Sequence, residues 1–331
     1  MATVVPMHLE VLGAMGAVEF IPTHDGGPLG KFWPWLKAFP RVIGAKRRHR
    51  DARCVFHLHP GSGFCLIRML ILAAIVRYGL RRPVLVYLHT PYLDRYLNGW
   101  YWRGVLSGLV KCADRVIVLT SYALGLLEAH GLADTTRVVP NPYSPSDARK
   151  ERQLSRDGGV TVLAMGRLVE GKGFMETLYA MPHLPENYRL IIAGEGELNE
   201  AIGEAIDSLG LRRRVLMSGW VEGDKKEELL LSADVFCLPS RVDSFGMSFI
   251  EAQVYDVPIV AYAHEPVIEV IREHGGVFVD SLNPKAIAMA IKKANDLNSE
   301  MRPGSGKKWV CDSFGIERTR HRLSSVIKEV A

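Results

Sequence analysis

The stretch Thr161-Val-Leu-Ala-Met165-Gly166-Arg167-Leu-Val-Glu170-Gly171-Lys172-Gly173 decides how this chain folds. Its apolar, β-branched start reads as a buried strand, and the glycines as a turn leading into a helical pattern. Strand, glycine turn and helix in that order are the repeating unit of a parallel α/β sheet. The order returns at Ala193-Gly194-Glu195-Gly196-Glu197, after the run at 189–193. It returns again at Ser240-Arg-Val-Asp243-Ser-Phe245-Gly246-Met247-Ser-Phe-Ile-Glu251, after the run at 235–238.

Outward from these turns the alternation fills the chain. Further strands are expected at 214–218, 259–262 and 277–279, with helices over 173–181, 198–209, 224–232, 246–255, 266–273 and 284–297. Upstream, strands are expected at 18–22, 54–58, 84–88, 115–119 and 137–139, with helices over 31–50, 64–80, 95–112 and 121–130. Between the halves, Pro140-Asn141-Pro142-Tyr143-Ser144-Pro145-Ser146 is a stiff, extended connector. Two domains are therefore expected, 1–144 and 145–314. Residues 1–16 read as a helix, so the first domain is expected to lack its first strand and glycine turn.

Composition narrows the class. Among 331 residues, 48% are hydrophobic and 23% charged, which is ordinary for a globular protein. The most apolar run, 64–76, is interrupted by Arg68 and too short to cross a bilayer. No secretory leader is evident, and five widely spaced cysteines suit a reduced interior, so a cytoplasmic location is expected. Residues 1–150 carry 19 Lys and Arg against 9 Asp and Glu, and the remainder 22 against 27. That gives +10 and −5, which sum to the net charge of +5 and suggest two surfaces with different partners. No recognised nucleic-acid module accompanies the basic residues, and no Gly-x-Gly-x-x-Gly turn opens the chain. Nucleic acid is not expected as a partner, nor is nicotinamide as a cofactor.

Chemistry concentrates in the glycine turns. Phe245-Gly246-Met247 leaves backbone N–H groups at a helix start, where the partial positive charge favours an anion. Arg167 and Lys172, five residues apart between glycines, offer a planar fork and a mobile point charge that suit a diphosphate. Asp243 and Glu251 lie eight residues apart and can face one cleft that needs hydroxyl acceptors.

Taken in this order, the three turns resemble the family-four retaining glycosyltransferases of GT-B fold, in which two Rossmann-like lobes face a cleft. The resemblance covers nearly all of the second domain and, more loosely, the chain from about residue 18. It implies that Gly166, Arg167 and Lys172 hold the donor diphosphate and Glu251 the ribose hydroxyls. Asp243 with Phe245, Gly246 and Met247 would meet the donor sugar. His89, in Val-Tyr-Leu-His89-Thr-Pro, matches the strand-end histidine that faces that sugar, which makes Arg167, Lys172, Asp243 and His89 the implied catalytic set. The segment from Trp309, with a helix at 315–331, resembles the C-terminal helix that packs back on the first lobe. The implied partners are a nucleotide sugar and a glycan or lipid-linked acceptor, with no metal or other cofactor required. Position 243 carries Asp where the family more often has Glu, and Asp256 stands where Gly is usual.

Other readings stay open beside this one. Each of these charges also fits a solvated surface or a cap. A sugar-nucleotide epimerase of the same fold and an inactive nucleotide-sugar scaffold are the alternatives; a phosphorylase would need a pyridoxal lysine context that is not seen. His57 and His59 share a strand face and hint at a metal, yet Cys54 is out of phase and no further ligand stands in spacing. They are read as structural. Aromatics and basic residues over 31–50, with Tyr96, Trp100, Tyr101 and Trp102, fit either an anionic membrane surface or an acceptor cleft. Surface-polysaccharide synthesis on the inner face of a membrane is the expectation that follows.

Overall fold

The computed structural model describes residues 4–24, 33–48, 54–145, 152 and 158–330. Lys31, His49, Arg50 and most of the charged stretch 147–159 lie outside them, as do the side chains of Lys46 and Arg47. The chain divides into two units, Met1–Pro142 with Phe314–Ala331, and Tyr143–Ser313. Both are α/β with wholly parallel sheets.

In the first unit, helices α1 (Val4–Gly13) and α2 (Trp33–Arg48) precede strand β1 (Phe56–Leu58). Helix α3 (Phe64–Ala74), extended by a π-helical turn at Ile75–Leu80, leads to β2 (Val84–Tyr87). Then come α4 (Leu93–Asn98), α5 (Trp100–Cys112), β3 (Arg115–Val118), α6 (Ser121–Glu128) and β4 (Thr136–Val138). The expected helix over 95–112 is two helices, because Gly99 takes an extended conformation between them. The four strands run in sequential order, β1-β2-β3-β4. Side chains of β2 alternate between two cores, as a strand covered on both faces must. Val84 and Val86 face the cluster built by α3 and α5, whereas Leu85 and Tyr87 face Val11 of α1 and Leu323 and Val326 of α14 (Ile316–Lys328). Glu329, just past α14, pairs with Arg115 and Arg137 at 2.7 and 2.9 Å.

The strand expected at 18–22 is not formed; residues 17–24 are irregular. Ile21 packs on the core, but Val18 and Phe20 stay exposed and Pro22 has no N–H to give a ladder. The alternation was therefore real but had no second face to bury. Helix α1 stands where the sequence reads as helix rather than strand, leaving four strands among the described residues of this unit.

The second unit begins with β5 (Val160–Met165), α7 (Phe174–Ala180), β6 (Tyr188–Ala193), α8 (Asn199–Ser208) and β7 (Val215–Gly219). It continues with α9 (Gly223–Ser232), β8 (Val235–Leu238), α10 (Met247–Val254), β9 (Ile259–Tyr262) and α11 (Glu265–Ile268). It closes with β10 (Gly276–Val279), α12 (Pro284–Asp296) and α13 (Ser305–Phe314). The strand order β10-β9-β8-β5-β6-β7 is that of a doubly wound sheet, reversing between β5 and β8. Phe174, Phe236, Phe249, Ile287 and Ile291 lie in its buried core.

Asp256, the residue standing in for a usual glycine, keeps the left-handed backbone at φ 54. Asp is among the few side chains that tolerate this region. Its carboxylate repays that strain by accepting from the N–H groups of Gly304 and Gly306 at 2.6 and 2.7 Å, and from Ser305 at 3.0 Å. Arg272 also donates to it at 3.2 Å. The aspartate thus ties the α10–β9 turn to the start of α13. Asp256→Ala should cost about 2–4 kcal/mol, since it removes a buried charge partner and the bonds to the α13 start together. Asp256→Gly should recover part of this by relieving the backbone. Differential calorimetry reads both; wild-type melting of the alanine variant would mean that the tie contributes nothing.

Candidate functional site

Open α/β sheets take ligands beyond the carboxyl ends of their strands, where the strand order reverses. In the second unit the turns flanking that reversal are 166–173, after β5, and 239–246, after β8. The turn at 194–198 follows the neighbouring β6.

Main-chain hydrogen bonds join the three turns. Gly166 N–H donates to Ala193 O at 3.0 Å, Leu168 N–H to Glu195 O at 3.0 Å, and Leu198 N–H to Leu168 O at 3.0 Å. Arg241 N–H donates to Gly171 O at 2.8 Å. Two glycines make this approach possible. A Cβ on Gly194 (φ 150) would fall on the Gly166 carbonyl oxygen, and one on Gly173 (φ 92) would come within 2.7 Å of the Pro239 carbonyl carbon. A side chain at either position would push the turns apart.

This packing brings Lys172 to the acidic turn. Its Nζ meets Asp243 Oδ1 at 2.5 Å, with the Asp243 side chain 8% exposed. The other oxygen, Asp243 Oδ2, is buried without a hydrogen-bond partner among the described residues. Gly246 (φ 84) caps α10, and Phe245 is buried beneath it. Glu251, on the fifth position of α10, is buried and pairs with Lys226 of α9 at 2.8 Å. Near it, Tyr255 donates to Glu227 at 3.2 Å, and burial, reinforced by Glu251, pushes the Tyr143 phenol up from its ordinary range. Arg167 shares the Lys172 turn, is exposed, and forms no ion pair among the described residues. Lys172 and Asp243 are thus brought into direct contact, while Arg167 and Glu251 are not. Lys226 was missed, because no spacing in the sequence links α9 to α10.

His89 lies just past β2 in the first unit, and it is not alone. Its Nε2 is 3.0 Å from His59 Nδ1, and the two rings stack at 5.2 Å. His8 of α1 lies edge-on to His59 at 5.1 Å, and His57 Nδ1 contacts the Tyr87 hydroxyl at 2.8 Å. Burial pulls His8 and His57 down to about 4 and His89 to about 3, and holds His59 well below its usual range. Spacing along the strand offers His59 no further candidate ligand, yet the structure places His8 and His89 beside it. The companions come from α1 and from the end of β2, which sequence spacing along one strand does not reveal.

Two family models match the chain in succession: Glycosyltransferase Family 4 over residues 14–147 and Glycosyl transferases group 1 over 146–305. An uncharacterised glycosyltransferase of Methanocaldococcus jannaschii is 33% identical over 141 residues, 42% of this chain and 36% of that one. The mannosylfructose-phosphate synthase of Agrobacterium fabrum is 30% identical over 209 residues, 56% of this chain and 46% of that one. The chain spans between about a third and three fifths of the length of the first curated relatives it matches. Among solved structures, HepE of Anabaena in complex with UDP and glucose superposes with a TM-score of 0.71 at 20% identity, over 98% of this chain and 88% of that one. That likeness establishes the two-lobed GT-B fold.

The Lys172–Asp243 pair yields a prediction independent of any ligand. Lys172→Met should cost about 3–5 kcal/mol, because it strands a buried carboxylate with neither oxygen paired. Adding Asp243→Asn should return a substantial part of that loss. Chemical denaturation of both variants at neutral pH measures this; additive losses would mean that the two side chains do not couple.

Proposed function

Because the chain belongs to the glycosyltransferase family that those two models describe, we propose that it moves a sugar from a nucleoside-diphosphate sugar to an acceptor hydroxyl with retention at the anomeric carbon. The observation that carries the reading is the hydrogen-bonded meeting of three glycine turns at the sheet's reversal, with Lys172 held against Asp243. A UDP complex of a protein of the same fold supports a nucleoside diphosphate as the donor's leaving group.

In this mechanism the bond from the anomeric carbon to the diphosphate breaks, and a bond to the acceptor oxygen forms on the same face. The departing diphosphate gains negative charge. Arg167, Lys172 and the N–H groups opening α10 at Gly246 and Met247 are the donors assigned to it, each important donor contributing ~3–4 kcal/mol. The leaving phosphate takes the acceptor's proton, so no side-chain base is assigned and no metal is required. Asp243 accepts from a donor-sugar hydroxyl; Phe245 is buried in the same turn. Glu251 accepts from the ribose hydroxyls. His89 keeps the sugar-facing role that the resemblance gives it.

The acceptor is a glycan or lipid-linked sugar, as surface-polysaccharide synthesis requires. An anionic membrane surface as its platform draws support from exposed aromatics beside basic residues in the first unit. Trp100 is 88% exposed; Phe64, Ile71 and Tyr78 lie seven residues apart along α3 and its extension, followed by Arg81 and Arg82. No described helix is long and apolar enough to cross a membrane.

Incubation with a panel of radiolabelled UDP- and GDP-sugars should give slow donor hydrolysis without acceptor and transfer with it. Arg167→Ala and Lys172→Ala should each lower kcat by about 10²–10³-fold. Glu251→Ala should act mainly on donor KM. Neither hydrolysis nor transfer with any donor would remove the assignment. A 2-epimeric sugar formed without acceptor would favour an epimerase, and calorimetric silence toward UDP and GDP an inactive scaffold.

A further inference from the structure

We propose that His8, His59 and His89 form a binding site for one borderline divalent transition ion of the zinc class. One ring nitrogen from each of the three histidines lies within 4.8 Å of the others. Two nitrogens bound to one zinc at ~2.0–2.1 Å stand about 3.3 Å apart in tetrahedral geometry. The His59–His89 pair already stands at 3.0 Å, and the third nitrogen lies within 4.8 Å of both.

The second observation is on His8. Its Nε2 lies 3.5 Å from Asn141 Oδ1, an atom that only accepts. The ring proton therefore belongs on Nε2, which leaves a lone pair on Nδ1. That Nδ1 is buried and has no partner among the described residues, on a residue 2% exposed. A metal-bound imidazole typically donates one ring N–H to a carbonyl-type oxygen and keeps its other nitrogen for the ion. Imidazole nitrogens suit Zn²⁺, Co²⁺, Ni²⁺ and Cu²⁺, whereas Mg²⁺ and Ca²⁺ prefer oxygen. Three protein ligands leave a fourth position for water.

Occupation would engage the Nε2 of His89. An ion there withdraws that nitrogen from transfer, so zinc acts as a reversible inhibitor; this consequence alone rests on the transferase reading.

The test uses the full chain stripped with a chelator. Titration with Co²⁺ should give one equivalent and the ligand-field absorption of a low-coordinate nitrogen site, displaced by Zn²⁺ and unaffected by Mg²⁺. His8→Ala should weaken binding by more than the ~10–100-fold typical of losing an orienting partner, and Asn141→Ala by about that amount. His321→Ala, on the exposed face of α14, should change nothing. Zinc should slow transfer by the wild type, with recovery on chelation, and leave His8→Ala unaffected. Absence of the cobalt band in the wild type overturns the proposal, as does a band that survives in both His8→Ala and His59→Ala. A cobalt band in a protein that transfers no sugar sinks the transferase reading and leaves the metal site standing.

Discussion

Everything at the candidate site depends on main-chain contact between turns distant in sequence. The turn after β5 leans on the turn after β6 through the bonds of Gly166 and Leu168, and on the turn after β8 through Gly171. Backbones meet this closely only where no Cβ intervenes, as at Gly173 against Pro239 and Gly194 against Gly166. That contact converts two spacings along the chain into one arrangement in space. It sets Lys172 against Asp243, 71 residues later, on a base of buried strands rather than on loops alone. A site held in this way reorganises little when charge moves, and that is the property electrostatic catalysis needs.

Much of this was legible in the sequence because the signals are local. The strand-turn-helix order at 161–174, 189–199 and 235–247 is written in apolar runs broken by glycine, and most of the second unit's elements fall near where those runs predict, although α11 stops at Ile268 instead of reaching 273 and α13 was not foreseen. Reading failed where a pattern lacked its partner. The alternation at 18–22 resembles a strand, yet Val18 and Phe20 meet no second layer. It failed again where contacts join distant elements: Lys226 to Glu251 between α9 and α10, and His8 to His59 and His89 between α1 and the first sheet.

Asp256 shows how a departure from a family pattern is absorbed. Glycine is usual there because the backbone turns left-handed, and the chain still makes that turn. The added carboxylate could be tolerated on those grounds alone. Instead it caps the start of α13 and pairs with Arg272, while the Asp256 carbonyl accepts from Arg152 at 2.8 Å. The substitution strengthens the support behind α10 instead of disturbing its mouth.

The charge pairs at the site raise a question of availability, since a lysine already bound to aspartate looks unable to hold a phosphate. Valence counting answers it. An ammonium carries three donors, and one contact with Asp243 leaves two. The aspartate in turn keeps Oδ2 unsatisfied and buried, a costly state that a hydroxyl donor relieves once a shift of the turn uncovers it. Each member of the pair thus orients the other while retaining capacity for a ligand that brings anionic oxygens on one side and hydroxyls on the other. A sugar diphosphate has that polarity. A bare phosphate could use the lysine but would leave the aspartate oxygen unpaired, and a neutral sugar would do the reverse.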